Sequence, residues 1–214
     1  MKSFVITIKD IPQSVQAAER CIASAKDYNI LVEMFDAITP KDNPLKILEE
    51  KGINPEGLRS EYSRFENCAA AFLSHYSLWE KCADDRQDYL ILEHDAVFVN
   101  KIPDVFTYDK LVSFAAPSYG KHNTPNKLGI GPLTSKPYLP GAHAYLLNKE
   151  GAKILIEKAK TKAAPTDVFI NLQNFPWIQE YYPWAVEAQD SFTTIQKDKG
   201  CLAKHSYKEG YKII

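Results

Sequence analysis

The sequence predicts an α/β fold with parallel strand pairing and helices packed against the sheet. A strand, a helix and a second strand follow one another within the first 36 residues, and this βαβ order favours a parallel sheet. An apolar run at 89–92 then indicates another buried strand. That run leads directly into Glu93-His94-Asp95, at the kind of strand end where open α/β sheets bind ligands.

The first half of the chain supplies the elements of this βαβ unit. Residues 4–8 read as the first strand, residues 15–26 as a helix with apolar positions three or four apart, and residues 30–35 as the second strand. Residues 39–59 are rich in Pro, Lys, Asn and Gly, which predicts a surface excursion around a short helix at 45–51. Residues 64–82 are predicted to form a long helix with one apolar face.

The second half alternates again between strands and helices. Strands are predicted at 110–115, 138–147 and 186–195, a helix after the cap Asn148, and a short helix with Thr166 as its N-cap. The Gly-, Pro- and Lys-rich stretch 117–140 is predicted to be a flexible loop. It is either an active-site lid whose lysines screen phosphate charge or a solvated loop without order.

Length and charge limit the classes of function. A chain of 214 residues suits one domain, here 1–214, with a Lys-rich tail at 197–214. The net charge of -1 provides no general attraction for nucleic acid. No segment reads as a signal peptide or a membrane helix, so any membrane association is expected to be peripheral. Four widely spaced cysteines predict reduced thiols and a cytoplasmic protein.

The Glu93-His94-Asp95 triplet is the leading candidate site. In an extended segment, residues two apart point to the same side, so Glu93 and Asp95 would face one point. Hard divalent ions such as Mg²⁺ or Mn²⁺ prefer such oxygen ligands, often together with substrate phosphates. The triplet is therefore either a metal clamp for a nucleotide diphosphate or an acidic turn that closes a hairpin.

Several motifs occur in a fixed order along nearly the whole chain. They are Phe4 to Arg20, Phe35-Asp36-Ala37, Glu66-Asn67-Cys68, Ser74-His75 with Trp79, Ile91-Leu92-Glu93-His94-Asp95-Ala96, Gly141-Ala142-His143-Ala144-Tyr145, Gly151-Ala152, Pro165-Thr166-Asp167 and Gln189-Asp190-Ser191. In this order the sequence resembles glycosyltransferase family 25. It departs from the family at His94, which stands where the family's triplet has its middle acid. His94 would either weaken metal binding or act as a ligand itself.

The resemblance implies a GT-A-like nucleotide-sugar transferase fold, with a mixed, mostly parallel sheet flanked by helices. It also implies a UDP-sugar donor, often UDP-galactose, a glycan or glycolipid acceptor as in lipopolysaccharide biosynthesis, inversion at the anomeric carbon, and Mn²⁺ or Mg²⁺ as cofactor. Expected metal ligands are Glu93, Asp95 and, in the tail, His205. Expected donor contacts are Thr7, Ile8, Lys9, Asp10, Arg20, Asp36, Glu66, Ser74, His75, Glu93, His94, Gly141, His143 and Gln189.

Asp167 is the candidate catalytic base. An inverting transfer needs a carboxylate on the acceptor side, and a metal-bound carboxylate is a poor base. Because Asp167 falls in the first turn of a predicted helix, it is alternatively a stabilising acid there, and the helix dipole would lower its pKa. The nearby aromatic group Trp177, Tyr181, Tyr182 and Trp184 would form either the acceptor platform or ordinary core packing.

Three functions remain open from the sequence. The first is an inverting, metal-dependent hexosyltransferase that takes galactose or glucose from a UDP-sugar. The second is a non-catalytic nucleotide-sugar or carbohydrate-binding descendant of the same fold, suggested by His94. The third is a metal-dependent phosphohydrolase, which the lack of further acid clusters after Asp95 disfavours. The sequence does not indicate an oligomeric state.

Overall fold

The structure is a computed structural model that describes residues 1–61, 63–85, 87–118, 120–189, 192–197 and 212–214. The helices are α1 (Pro12–Lys26), α2 (Pro44–Glu50), α3 (Phe65–Asp84), α4 (Lys149–Thr161) and α5 (Thr166–Phe169). The strands are β1 (Lys2–Thr7), β2 (Glu33–Asp36), β3 (Tyr89–Glu93), β4 (Ala96–Phe98), β5 (Leu111–Ser113), β6 (Gly129–Pro132), β7 (Ala144–Leu147), β8 (Gln179–Tyr182), β9 (Val186–Ala188), β10 (Phe192–Thr193) and β11 (Lys212–Ile213).

A seven-stranded mixed sheet forms the centre of the fold, in the order β2-β1-β3-β7-β5-β8-β6. Strands β2, β1 and β3 are parallel neighbours, as are β5 and β8, whereas β7 and β6 run antiparallel to the strands beside them. The predicted βαβ unit and the mixed α/β class are confirmed. The sheet flanked by helices is consistent with a GT-A-like fold.

The two faces of the sheet bury two separate apolar cores. Along β3, Leu90 and Leu92 point towards α1, while Tyr89 and Ile91 point towards α3 and α4. This alternation follows from the two-residue period of a strand, and a strand buried on both faces reads as a continuous apolar run. Burial of each large apolar side chain stabilises the fold by roughly 1.5–3 kcal/mol, so the run at 89–92 alone contributes substantially.

Helix α3 carries the aromatic centre of one core. Trp79 is fully buried and stands edge-on to Phe72 while it stacks on Phe169 from α5. Predicted helix 64–82 is thus confirmed, with its apolar face towards the sheet. Helix α4 also begins as predicted, because the Asn148 side chain accepts a hydrogen bond from the Gly151 amide at 2.9 Å.

The stretch 117–140 differs from the prediction of a structureless loop. It contains β6, which pairs with β8 as the last strand of the sheet, and its residues Leu133 and Leu139 are buried in the core. The buried Glu180 carboxylate fixes the turn after β6, because its Oε1 accepts hydrogen bonds from the amides of Thr134 (2.6 Å) and Ser135 (2.9 Å). The described part of this stretch is therefore anchored to the sheet.

Two smaller expectations were wrong. Pro165 occupies the N-cap of α5, and Thr166 is the first helical residue, because the fixed backbone angle of proline already provides the helix entry. The strand predicted at 186–195 is divided into β9 and β10, which pair with β4 and β11 and do not join the main sheet.

Within the part of the chain that the structure describes, no helix has the length and apolar character needed to cross a membrane.

Candidate active site

Three adjacent parallel strands present polar residues at one edge of the sheet. In the register of the sheet, Thr7 on β1 lies opposite Asp36 on β2, and Ile6 lies opposite Glu93 on β3. The chain passes from β1 to β2 on one side and returns to β3 on the other, which makes this the topological switch point. Ligands of open α/β sheets bind in the crevice at such a point.

The loop after β1 is held by local hydrogen bonds. Thr7 is buried and its hydroxyl donates to the Val5 carbonyl at 3.0 Å, while the Ile8 amide donates to the Ser14 hydroxyl at 2.9 Å. Lys9 and Asp10 are exposed and form ion pairs across to the neighbouring loop, Lys9 with Asp36 and Asp10 with Lys41 (2.7 Å). Exposed pairs of this kind contribute little stability, so a ligand can displace them easily.

Glu93 ends β3 next to a buried histidine. The Nε2 atom of His75 on α3 lies 3.2 Å from Glu93 Oε1, and the Glu93 side chain remains 37% exposed. Burial opposes ionisation of Glu93, but the hydrogen bond from His75 and the electrostatic influence of the nearby His143 and His94 rings outweigh it and lower the pKa of Glu93. Glu93 is thus an ionised carboxylate that a ligand can reach.

Asp95 lies in a turn, so the same-side argument from the two-residue spacing of an extended strand does not apply to it. Residues 94–95 form a turn between β3 and β4, so the two-residue alternation of an extended strand stops at Glu93. Burial first and the charge of Asp95 second raise the pKa of Cys21 on α1 to about 12, and Glu93 contacts His75 on α3. The premise of one extended segment from Glu93 to Asp95 was therefore wrong, and the acid-x-acid metal clamp stays a prediction.

His94 has a packing role in this turn. Its Nδ1 lies 3.2 Å from the Ser14 hydroxyl, and its ring stacks on Phe192 of β10 with a centroid distance of 5.1 Å and an interplanar angle of 9°. The next element, β9, is tied to the same turn because the Gln189 amide donates to the Asp95 carbonyl at 2.8 Å. Arg20 of α1 donates in turn to the Gln189 carbonyl at 3.0 Å.

Asp167 lies on the same side of the molecule as Glu93. Helix α5 packs against α3, and the Val168 amide donates to Asp167 Oδ1 at 2.9 Å. Burial first and the negative charge of Glu93 second raise the pKa of Asp167 to about 6. The predicted lowering by a helix dipole was wrong, because α5 has only four residues and desolvation outweighs its weak dipole.

The predicted donor contacts on α3 separate into two groups. Glu66 is exposed in the first turn, whereas Ser74 is fully buried. The Ser74 hydroxyl donates to the Ala70 carbonyl and accepts from the Ile38 amide, both at 2.9 Å. Ser74 therefore braces the chain just after β2, close to the strand end that carries Asp36.

Gly141 and His143 form the entrance to β7 beside Glu93. The Glu93 amide donates to the His143 carbonyl at 3.2 Å, and the buried His143 ring lies 3.4 Å from the Val186 carbonyl. A Cβ atom at position 141 would overlap His143 Nδ1, so only glycine permits this close approach. His205, the third predicted metal ligand, lies outside the described residues.

The aromatic group predicted as one platform is split by β8. Trp177 precedes β8 at the opposite edge of the sheet, where it packs on Phe175 with Lys110 5.7 Å from its ring centre. Tyr182 ends β8 and Trp184 follows it at the edge that carries Glu93, with their rings 5.2 Å apart and nearly perpendicular. Tyr181 instead packs against Phe114 in the other core.

The residues at this edge suit a divalent ion that is shared with a diphosphate. Among the described residues, no group of three or more His, Cys, Asp or Glu side chains could hold a metal by itself. Mg²⁺ and Mn²⁺ are commonly held by one or two carboxylates together with substrate phosphates. The exposed carboxylate of Glu93, with Asp95 at the same turn, provides oxygen ligands of that kind.

Two side chains behind Glu93 were absent from the predicted site. Tyr145 on β7 and Trp79 on α3 are fully buried, and the Trp79 indole N–H donates to the Tyr145 hydroxyl at 2.8 Å. The same hydroxyl lies 3.0 Å from His75 Nδ1. Both residues stood in the motifs that carry the resemblance, and their polar tips in an otherwise apolar environment were the available signal, because buried tyrosine and tryptophan need hydrogen-bond partners.

Comparison of the sequence with known proteins identifies the family to which the chain is similar. Residues 1–111, more than half of the 214, match the sequence model described as Glycosyltransferase family 25 (LPS biosynthesis protein). The chain is also similar to the lipooligosaccharide biosynthesis protein lic2B of Haemophilus influenzae, with 28% identity over 96 residues. These residues make up 45% of this chain and 35% of the relative, so the chain matches only about a third of that protein's length. Because this family model matches more than half of the sequence, the chain belongs to glycosyltransferase family 25.

Proposed function

We propose that the protein is a glycosyltransferase that moves a hexose, galactose or glucose, from a UDP-sugar to a glycan or glycolipid acceptor of lipopolysaccharide or lipooligosaccharide, with inversion at the anomeric carbon. Membership of family 25 supports the reaction class. The name of the similar Haemophilus protein, which refers to lipooligosaccharide biosynthesis, supports the acceptor class. The UDP-sugar, the inversion and the metal are what the resemblance to this family implies, and the carboxylates at the end of β3 are compatible with the metal.

One observation carries the proposal: the two carboxyl groups of the site have opposite pKa shifts. Contacts with His75 lower the pKa of Glu93, whereas burial and the Glu93 charge raise the pKa of Asp167 to about 6. A pair of titratable groups whose environments separate their pKa values is typical of an acid–base site. We assign Glu93 to the donor side and Asp167 to the acceptor side.

Asp167 then acts as the general base. At pH 7 a carboxyl group with a pKa of about 6 is roughly nine-tenths ionised and is more basic than an ordinary aspartate. The acceptor hydroxyl transfers its proton to Asp167 while its oxygen bonds to the anomeric carbon. The bond between that carbon and the diphosphate oxygen breaks on the opposite face, with the electron pair leaving on UDP. Attack opposite the leaving group gives inversion.

The donor lies in the crevice at the ends of β1, β2 and β3. Glu93 and Asp95 would hold Mn²⁺ or Mg²⁺, which when bound neutralises negative charge on the diphosphate. Lys9, paired with Asp36 in the structure, is an exposed cation beside this crevice that can turn towards phosphate. Tyr182 and Trp184 present ring edges and faces to the sugar acceptor.

A second candidate, a nucleotide-sugar-binding protein without transferase activity, is favoured by one observation. The extended strand ends at Glu93 and Asp95 lies in the turn that follows, while His94 is engaged with Ser14 and Phe192. Such a protein would bind a donor and leave it intact.

A panel of UDP-sugars separates the two candidates. The protein is incubated with each UDP-sugar and Mn²⁺, with and without deacylated lipooligosaccharide as acceptor, and UDP release and donor affinity are measured. Acceptor-dependent UDP release with at least one donor supports the transferase. Donor binding with no release on any acceptor supports the binding protein, and no binding of any UDP-sugar contradicts both.

A further inference from the structure

A chain of hydrogen bonds runs from the interior of the protein to the carboxylate of Glu93. It begins at the Trp79 indole N–H, 2.8 Å from the Tyr145 hydroxyl, continues from that hydroxyl to His75 Nδ1 at 3.0 Å, and ends between His75 Nε2 and Glu93 Oε1 at 3.2 Å. Trp79 and Tyr145 are fully buried, and His75 is 2% exposed. Three distant stretches of sequence, on α3, β3 and β7, therefore meet in one connected group.

The donor groups of Trp79 and Tyr145 determine the direction of each hydrogen bond in this chain. An indole N–H can only donate, so the Tyr145 oxygen accepts from Trp79. The phenol hydrogen of Tyr145 then points to His75 Nδ1, which must accept it with its lone pair. The ring hydrogen of His75 is consequently on Nε2, where it donates to the carboxylate of Glu93.

The other arrangement of the ring fits the surroundings poorly. With its hydrogen on Nδ1, His75 would donate to the Tyr145 oxygen and turn the Nε2 lone pair towards a carboxylate, where two acceptors meet. The phenol hydrogen would then lose its acceptor in a fully buried position, which is unfavourable. Burial also raises the pKa of Tyr145 well above its ordinary value, so the phenol keeps its hydrogen.

We propose that Trp79 and Tyr145 are positioning residues that hold the His75 ring with its Nε2–H directed at Glu93, so that His75 orients the Glu93 carboxylate at the end of β3. The consequence for sugar transfer rests on the proposed function of Glu93 on the donor side. Partners behind a ligand-binding group commonly set its orientation in this way, and their loss lowers affinity or activity about 10- to 100-fold.

The tautomer can be measured in the resting protein without donor or metal. Two-bond correlation of ring protons with the ¹⁵N nuclei distinguishes Nδ1–H from Nε2–H, and a His75→Gln variant assigns the His75 signals among the five histidines. We expect a single Nε2–H tautomer in the parent at neutral pH. A parent ring that carries its hydrogen on Nδ1, or on both nitrogens, would overturn the proposal.

Tyr145→Phe removes the hydrogen that His75 Nδ1 accepts and keeps the aromatic ring. We expect the fixed tautomer to give way to a mixture, and donor affinity or turnover to fall about 10- to 100-fold. Tyr76→Phe is the matched control. Like Tyr145, Tyr76 is a buried tyrosine; it lies on α3 and packs against Phe72 and Trp79. An unchanged tautomer in Tyr145→Phe would overturn the proposal, and if that variant does not fold, the tautomer of the parent decides.

A second variant tests the link to Glu93. The amide of His75→Gln can still donate towards Glu93, whereas His75→Ala has no donor, so the glutamine variant should retain more donor affinity than the alanine variant. Equal loss in both variants contradicts an orienting role. If no UDP-sugar binds to any form, the proposed function fails while the tautomer measurement still decides the role of Trp79 and Tyr145.

Discussion

Asp167 on α5 lies within electrostatic reach of Glu93 at the end of β3. The pKa of Asp167 is raised to about 6, first by burial and then by the charge of Glu93. Burial opposes ionisation of Glu93 as well, but its histidine neighbours outweigh burial and lower the pKa of Glu93. One site therefore holds an ionised carboxylate beside a carboxyl group that titrates just below neutral pH, and this relationship makes the roles of the two residues testable.

Asp167→Asn should lower turnover about 10²- to 10⁴-fold while donor affinity survives, because the amide keeps the shape of the side chain but cannot take a proton. Turnover and donor affinity are measured with the UDP-sugar that the panel identifies. Asp109→Asn, at the opposite edge of the sheet in an exposed pair with Lys110, is the control and should retain turnover. If the turnover of Asp167→Asn is within a few-fold of the turnover of the parent, Asp167 is excluded as the base.

The same substitution should change the pH dependence of stability. A carboxyl group with a raised pKa in the folded protein binds a proton more tightly when folded, so its contribution to stability is present at low pH and lost as pH rises through about 6. Asp167→Asn removes the cost of burying the charge, so the variant should gain stability relative to the parent above pH 6 and lose that gain near pH 4. Urea unfolding at pH 4.5 and pH 8 gives the free energy of unfolding of variant and parent. If the difference between the two proteins is the same at both pH values, the raised pKa of Asp167 is contradicted.

The sequence predicted the scaffold of the site better than its chemistry. The apolar run before Glu93 has the pattern of a buried strand, and the βαβ order implies that Thr7, Asp36 and Glu93 end neighbouring parallel strands, as the register confirms. The turn at 94–95 was not predictable from spacing alone, because the acidic triplet suits a strand end and a turn equally well. The environment of Asp167 depends on tertiary packing of α5 against α3, which no local pattern encodes.

Strand β6 shows a second limit of local sequence patterns. Gly129, Gly131 and Pro132 all disfavour strands, so the stretch reads as a loop. Pro132 is tolerated because β6 is the outermost strand of the sheet, where a missing amide need not have a partner. Glu180 fixes the chain after β6. Because Glu180 is distant in sequence, the pattern of residues 117–140 alone could not predict this contact.

Glu180→Ala should destabilise the protein by about 1–3 kcal/mol, because it leaves the amide of the buried Ser135 and the neighbouring Thr134 amide without their acceptor. Equilibrium urea unfolding measures the loss. The exposed Glu187 on β9 provides the control, and Glu187→Ala should stay within about 0.5 kcal/mol of the parent. Equal, small effects in both variants would mean that the turn after β6 does not depend on Glu180.

The last prediction concerns the proposed metal. If Asp95 helps to hold Mn²⁺ with the diphosphate, Asp95→Asn should abolish Mn²⁺-dependent UDP binding without unfolding the protein. The reason is that an amide oxygen carries no charge and is a weaker ligand for a hard cation. UDP affinity is measured by calorimetry with and without Mn²⁺, and Asp104→Asn, an exposed carboxylate paired with Lys101, is the control.

Glu93→Gln gives the companion measurement, because Glu93 ends β3 and contacts His75 on α3, whereas Asp95 lies in the turn that follows. If UDP affinity no longer depends on Mn²⁺ in either variant, both carboxylates bind the ion despite the turn. Loss in Glu93→Gln alone would assign the ion to the α3 side and leave Asp95 as a structural acid that acts on Cys21. An unchanged Mn²⁺ effect in both variants contradicts the metal site at this strand end.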